Sequence, residues 1–590
     1  MPDITKLPRM LIMLVPLLLV LCFTKLDVGS PNDAARMATI QALGEHFTFN
    51  LDNSILKYDV DIQMRNGHRI SDKPPMLQFL GAVLYRPLYL MGITFNHHYS
   101  WVYWILTFLL SGVPFIFLCY LINKWLVYCG CLSEKYVQWI VIWLGTLLLP
   151  WAVTFNNHVL TATLIASGLT LFLYDAKVEK VKDVQFLWSG FLLAFAITLE
   201  LPTGGLSWFC GLLWLGVMNR RRLGYFLVGS LVPLLIHAAL NMTQTGDLIP
   251  AYLHKEYYQF AGSYWGSPQA YQRLFGKNIL TQYFHMLFGY RGLFLFCPVL
   301  ILGGIEIIRA WRNRDVFWSI WGIIAVFTLT GTLTSYAIQI SDFGGGSYGL
   351  RWVVALIPLW LLPSLCWFSR PHQKIYQSIA YGLVGLSIFF SMIGLYNPWP
   401  QNALTPSPIL ENISYMTFVP NSSMQGIAEG IIETTSLDKG LAYYELGREC
   451  WKREEFTEAV RYMDLALIHK PGDTQYLYQL GILLDMSSQF NRASEVFEAL
   501  LKKEPDNVGA MNNYAAMKIK QGQYEEAIKL YEKALSYDPE RFVSLTGLAQ
   551  IYLKMNQPEK AAPLIHKAAR LRPDDAQAQS LDVYLQNTVK

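Results

Sequence analysis

The sequence predicts an all-α protein in two parts: a polytopic helical membrane domain, then an α-solenoid of repeated helix pairs. Three observations predict it. Of 590 residues, 53% are hydrophobic and only 15% charged, against about 25% charged in a soluble chain, and the mean hydropathy is +0.27. The deficit is uneven. From Leu7 to about Trp399 long apolar runs alternate with short charged connectors, whereas from Ser436 onward charges are dense and apolar residues spaced. Finally, Pro471, Pro505, Pro539 and Pro573 stand 34 residues apart. The first part suits lipid and the second water.

A helix needs about 20 mainly apolar residues to cross the hydrocarbon layer, and connectors rich in Lys and Arg stay in the cytoplasm. The first span is expected at 8–26, after Lys6 and Arg9; no small-x-small cleavage site follows, so a retained span is expected rather than a cleaved signal peptide. Further spans are expected at 98–120, 136–154, 158–174, 185–201, 203–218, 224–241, 290–308, 316–336, 352–369 and 376–396. With the N-terminus inside, the clusters Lys124/Lys135, Lys177/Lys180/Lys182, Arg220–Arg222, Arg309/Arg312/Arg314 and Arg370/Lys374 all fall in the cytoplasm. That agreement fixes the parity of eleven spans, because one missed span would invert every later loop. An integral plasma (inner) membrane location follows, with loops 27–97, 242–289 and 337–351 and everything after residue 399 extracytoplasmic. The apolar stretch 75–95 is interrupted by Arg86-Pro87 and is expected to lie along the interface. A net charge of +4 gives no reason to expect nucleic acid, and eight cysteines without a CxxC support neither a disulfide framework nor a zinc site.

The 34-residue period is that of the tetratricopeptide repeat (TPR). Twelve residues before each proline stands Ala459, Ala493, Ala527 or Ala561, where a small side chain lets paired helices approach. Leu446-Gly447, Leu480-Gly481 and Leu548-Ala549 fill the matching first-helix positions, and Phe497 and Tyr531 the second-helix aromatic position. Each proline ends its helix pair. Residues 1–400 thus form the membrane domain, 401–437 a linker rich in Pro, Ser, Thr and Asn, and 438–590 four repeats. Such arrays are binding surfaces for proteins or peptides, or braces for a neighbouring domain.

The first extracytoplasmic loop is where polar residues gather beside the membrane. It holds Asn32-Asp33 just after the first span, then Asp59 and Asp61, then Asp72-Lys73-Pro74-Pro75. An acid directly after span one, about forty residues of loop and a Lys-Pro-Pro before an interfacial helix resemble the GT-C membrane glycosyltransferases, notably the bacterial aminoarabinose transferase and protein O-mannosyltransferase branches. The resemblance runs over about residues 8–400. It implies a polyprenyl-phosphate sugar as donor, attacked at the anomeric carbon by an acceptor hydroxyl on the extracytoplasmic face. Asp33 matches the family's loop-one acid, the general base; the other reading is a helix cap paired with Arg36. Lys73 matches the family lysine at the donor phosphate, the alternative being a lysine snorkelling at the interface.

Gly344-Gly345-Gly346-Ser347-Tyr348-Gly349-Leu350-Arg351 resembles the family's glycine-rich loop, with Arg351 as a phosphate ligand. Arg291 at the mouth of its span is a further phosphate candidate. Asp61, Asp72, His254 and Lys255 are candidate substrate contacts. Where the family often carries two adjacent acids for a divalent cation this chain has Asn32-Asp33, so no metal ligand is assigned. Asn156-Asn157-His158 and Glu200 read as a turn and a helix end.

The leading expectation is a glycosyltransferase whose repeats bind a protein or peptide acceptor, a glycan acceptor being the other option. The competing classes are a transporter or flippase for lipid-linked sugars, for which Glu200 is the main candidate residue, and a non-catalytic scaffold in which the repeats do the work.

Overall fold

The computed structural model describes residues 7–26, 28–56, 61–133, 135–178, 180–258, 279–289, 291–339, 347–396, 398–399, 409, 439–452, 455–572, 575, 579–581 and 585. The chain divides into two units, Met1–Phe418 and Val419–Lys590. Helices dominate both, with a single two-stranded hairpin among the described residues. Asp59 and, apart from residue 409, the linker lie outside the described residues.

In the first unit, α1 (Leu7–Phe23) is an apolar run that stops at Thr24, whose hydroxyl donates back to the Val20 carbonyl at 2.6 Å. Ser30 then opens α2 (Pro31–His46) with a capping box. Its hydroxyl accepts from the Asp33 N–H, the Asp33 carboxylate accepts from the Ser30 N–H, and Pro31 occupies a position where no N–H is needed. Strands β1 (Ile62–Arg65) and β2 (His68–Ser71) pair antiparallel, Ile62 opposite Ser71. Their turn residues Asn66 and Gly67 both have positive φ, as a two-residue hairpin with the right twist requires. Helix α3 (Pro75–Leu90) folds back on α2: the Tyr85 hydroxyl donates to Glu45 at 2.6 Å and Arg86 to the Gly44 carbonyl at 2.8 Å.

Helix α4 (Phe95–Thr107) passes through a π turn at Phe108–Gly112 into α5 (Val113–Tyr128), where Pro114 has no N–H to give the preceding turn. The interval 136–154 is a broken helix, α6 (Lys135–Leu144) and α7 (Leu148–Ala152). Pro150 cannot donate to the Thr146 carbonyl, which instead accepts the Ser391 hydroxyl at 2.9 Å. The bundle continues with α8 (His158–Lys177), α9 (Phe186–Leu199), α10 (Leu201–Met218), α11 (Arg220–Thr245), α12 (Ile279–Leu287), α13 (Leu293–Phe296), α14 (Leu300–Arg312), α15 (Val316–Gln339), α16 (Ile357–Trp367) and α17 (Lys374–Tyr396).

Five helices are long and apolar enough to cross a membrane by length and composition: Phe95–Tyr128, His158–Lys177, Arg220–Thr245, Val316–Ile338 and Lys374–Leu395. The segments Met10–Phe23, Asp183–Leu199, Leu201–Val217 and Arg351–Trp367 are apolar but shorter. Hydropathy averages over breaks that the backbone does not: Pro150 splits one expected span, Cys297-Pro298 another, and Glu200 separates α9 from α10. Basic connectors are tied together by ion pairs, Arg222 to Asp175 at 2.6 Å and Asp183 at 2.9 Å, and Glu306 to Arg309 at 2.7 Å and Arg370 at 3.2 Å. Along α11, Leu227, Val228, Leu231, Val232 and Leu235 stay exposed, a contiguous apolar face of the kind that meets lipid or another protein.

The second unit pairs α18 (Lys439–Lys452) with α19 (Phe456–His469), α20 (Thr474–Met486) with α21 (Phe490–Lys503), α22 (Val508–Lys520) with α23 (Tyr524–Tyr537), and α24 (Phe542–Lys554) with α25 (Pro558–Leu571). Ala459, Ala493, Ala527 and Ala561 are all fully buried, as are Ala515 and Ala549 in the first-helix small position. At Gly481 an added Cβ would meet the Phe497 ring at 2.8 Å. The small residues are therefore what sets the helix separation. Ala527→Leu is expected to destabilise the array by about 1–3 kcal/mol through overpacking, read as a lower thermal transition and faster proteolysis within residues 508–571. Pro573 lies outside the described residues.

Candidate functional site

Two neighbouring polar clusters form where loop one, the turn after α7 and the end of α9 come together. The first is centred on Asp33. Its carboxylate accepts the Gly29 N–H at 2.9 Å, the Ser30 N–H and hydroxyl at 2.7 Å each, and the Tyr103 hydroxyl at 3.0 Å. A carboxylate has about four acceptor sites, and all four are occupied. Asp33 is wholly buried, and burial pushes its carboxyl above the usual range against the pull of these hydrogen bonds.

Arg36, one turn on, is also buried. It donates to Asn32 and, through Nη2, to Asn157 Oδ1 at 2.9 Å. Asn157 in turn donates to the Leu199 carbonyl at 2.8 Å, fastening α2 to the C-terminus of α9. Burial and the Arg351 charge draw the Arg36 guanidinium down to about 10 against the opposing pull of Asp61, Asp33 and Asp72. These charges therefore act within one electrostatic neighbourhood. Arg351 sits over the Trp399 ring at 5.2 Å, and Trp399 donates to Thr154 at 3.1 Å beside the Tyr103 hydroxyl. At the start of α8 the His158 Nδ1 lies 3.3 Å from Glu200 Oε2, and its ring meets Trp151 edge-on at 5.4 Å.

The second cluster is held by the hairpin. Lys73 Nζ lies 3.1 Å from Asp61 and 3.0 Å from Asp72, all three mostly buried. Asp61 is brought inward by a left-handed backbone (φ 62°), and the Asp72 N–H donates to its carbonyl at 3.2 Å. Tyr258 donates to Asp72 at 2.9 Å. Burial raises the Asp72 carboxyl; Lys73 lowers it and Asp61 raises it further. The hairpin is stitched to residues 244–258: Gln63 donates to the Ala251 carbonyl at 2.7 Å, Arg65 to the Gln244 carbonyl at 2.8 Å, and Gln244 to the Ser71 carbonyl at 2.8 Å. Residues nearly two hundred positions apart in the chain thus share one site.

The sequence candidates sort as follows. Asp33, Asp61, Asp72, Lys73 and Arg351 come together. His254 packs behind the hairpin, its ring between Glu256 at 2.9 Å and Asp247 at 3.3 Å, and burial opposes but these two acids raise its protonation range. Lys255 is exposed, and Arg291 is buried at the N-terminal side of α13. Gly344, Gly345 and Gly346 lie outside the described residues. Among the described residues no group of His, Cys, Asp and Glu is placed to hold a metal ion. Sequence reasoning gave Tyr103 and Trp399 no part, and took Arg36 as a cap partner, Asn157 and His158 as a turn, and Glu200 as a helix end or a transporter residue. The one signal for them was polarity itself: a His and a Glu at the ends of apolar runs.

Fold and site together define an all-α protein in which a helical bundle with a buried ionic cluster is joined to a TPR array. Residues 478–542 and 518–581 match tetratricopeptide-repeat family models. No curated protein matches the chain. Among solved structures it is similar to MamA 41-end from Desulfovibrio magneticus RS-1 (27% identity, 26% of this chain and 88% of that one, TM-score 0.24). It is also similar to YrrB, described as a TPR protein with an unusual peptide-binding site (20%, 27% and 86%, 0.24), and to another MamA protein (17%, 25% and 81%, 0.24). The matched models leave the pair α18/α19 outside their bounds, though Ala459 keeps the period and the burial. The repeats point to protein or peptide binding.

Proposed function

We propose that the chain is an integral-membrane glycosyltransferase that moves a sugar from a polyprenyl-phosphate donor to an acceptor hydroxyl on the extracytoplasmic face. The observation that supports it best is the gathering of Asp33, Arg36, Asp61, Asp72, Lys73 and Arg351 around neighbouring helix ends. Transfer needs cations for the departing phosphate and a base for the hydroxyl. Arg36, Lys73 and Arg351 supply the first. Lys73 is pre-positioned by its two carboxylates, so an arriving phosphate competes with them for the ammonium. The eleven-span layout with N-terminus inside, and the bacterial-type GT-C resemblance over residues 8–400, belong to this reading. The TPR array then presents a protein or peptide acceptor.

Reconstituted protein given a radiolabelled polyprenyl-phosphate sugar should release lipid phosphate. Arg351→Ala should lower that release by about 10²–10³-fold, the cost of one transition-state charge partner. Movement of intact lipid between leaflets without cleavage would instead establish the flippase reading. Neither cleavage nor movement would leave a scaffold.

A further inference from the structure

We propose that His158, oriented by Glu200, is a further catalytic residue of this transfer and takes the proton of the acceptor hydroxyl. The inference rests on the transferase reading and assigns a step within it. It starts from a chemical obstacle at Asp33. All four acceptor sites of that carboxylate are filled, two by backbone N–H groups at the start of α2. A hydroxyl could reach it only by displacing the Tyr103 hydroxyl or one of the donors of Gly29 and Ser30. Asp33 is a positioning residue in this arrangement, holding α2 so that Arg36 faces Asn157.

His158 has the opposite arrangement. Its backbone N–H is settled on Asn156 Oδ1 at 2.9 Å, and Nδ1 faces Glu200 Oε2 at 3.3 Å. With Nδ1–H donated to the carboxylate, Nε2 carries the lone pair, and it has no hydrogen bond among the described residues. A carboxylate behind an imidazole fixes the tautomer and stabilises the imidazolium once it forms. Trp151 holds the ring edge-on. Glu200 stands in the extended backbone between α9 and α10, and its Oε1 is buried with no hydrogen-bond partner among the described residues. The charged groups acting on the ring are Glu200, Arg351 and Arg36. The two arginines that would hold the phosphate therefore act electrostatically on the proposed base.

In the step, the acceptor O–H bond breaks and its proton passes to Nε2 while the oxygen bonds to the anomeric carbon. The anomeric carbon–oxygen bond to phosphate breaks, its electron pair leaving on the phosphate, whose charge Arg36 and Arg351 balance. Glu200 is the positioning residue for His158.

The test uses full-length protein in vesicles with tritiated polyprenyl-phosphate mannose and pooled peptides containing Ser and Thr, reading released lipid phosphate against pH. His158→Gln is expected to lower kcat by about 10²–10⁴-fold, the range for a lost acid–base group, with the donor KM little changed. Glu200→Gln is expected to lower kcat less and to move the acid limb of the kcat/KM profile to lower pH, because losing the anion makes the imidazole easier to deprotonate. That pH shift is a readout a packing defect would not give, and it stands even if His158→Gln folds poorly. An active wild type with His158→Gln unchanged, or an unshifted acid limb in Glu200→Gln, overturns the dyad and leaves the transferase reading intact. A folded wild type that releases no lipid phosphate overturns both.

Discussion

Asp33→Ala is expected to destabilise the first loop by about 2–5 kcal/mol, combining loss of the carboxylate half of the capping box with a buried Tyr103 hydroxyl left only the longer contact to Thr154 Oγ1 at 3.4 Å. Four donors converge on this one side chain, so the loss is not confined to a single bond. The variant should show faster hydrogen exchange over residues 28–46 and a lower thermal transition. Asp33→Asn should fall between the two, since its carbonyl still serves the Ser30 donors while its amide cannot accept from Gly29 or Tyr103. Tyr103→Phe removes that hydroxyl without touching the cap, and should cost less than Asp33→Ala. Equal stability of wild type and Asp33→Ala would show that the cap is dispensable, and with it the account of how Arg36 is placed.

Lys73→Ala is expected to cost about 3–5 kcal/mol, the range for removing one partner from a buried ion pair. The variant leaves Asp61 and Asp72 facing each other without the cation that balances them. The deficit should depend on pH, and its sign follows from Asp72. Burial already raises that carboxyl, and loss of Lys73 raises it further. A carboxyl whose folded value lies above its unfolded value destabilises the fold once deprotonated. The variant should therefore be weakest at neutral and higher pH and recover toward pH 4 as one of the two acids takes a proton. Thermal transitions between pH 4 and 8 measure this. Lys73→Arg, which keeps the charge, should recover much of the loss, and lipid-phosphate release by Lys73→Ala should fall along with the stability.

The ionic site was legible only in part. Asp33, Lys73 and Arg351 were singled out by their match to a family pattern, and Asp61 and Asp72 as acids of the same loop. The roles of Asn157, His158 and Glu200 were not legible, because these look like turn and helix-end residues until the ends of α7, α8 and α9 meet α2. That loop one and residues 244–258 share hydrogen bonds has no local signal at all. The span count was harder still: hydropathy registers how apolar a window is, while a missing N–H at Pro150 or an extended Glu200 decides where the helix stops.

By itself the sequence determined the helical class, the change near residue 400 from apolar runs to densely charged sequence, and the 34-residue register of the repeats. These follow from local physics: apolar run length, proline's missing donor, and the small side chain that close helix approach demands. Only the tertiary structure decided which charges face one another, since an ion pair such as Lys73 with Asp61 and Asp72 depends on backbone turns and burial created by distant segments. The same packing occupied every acceptor site on Asp33 and left one ring nitrogen of His158 without a hydrogen bond among the described residues.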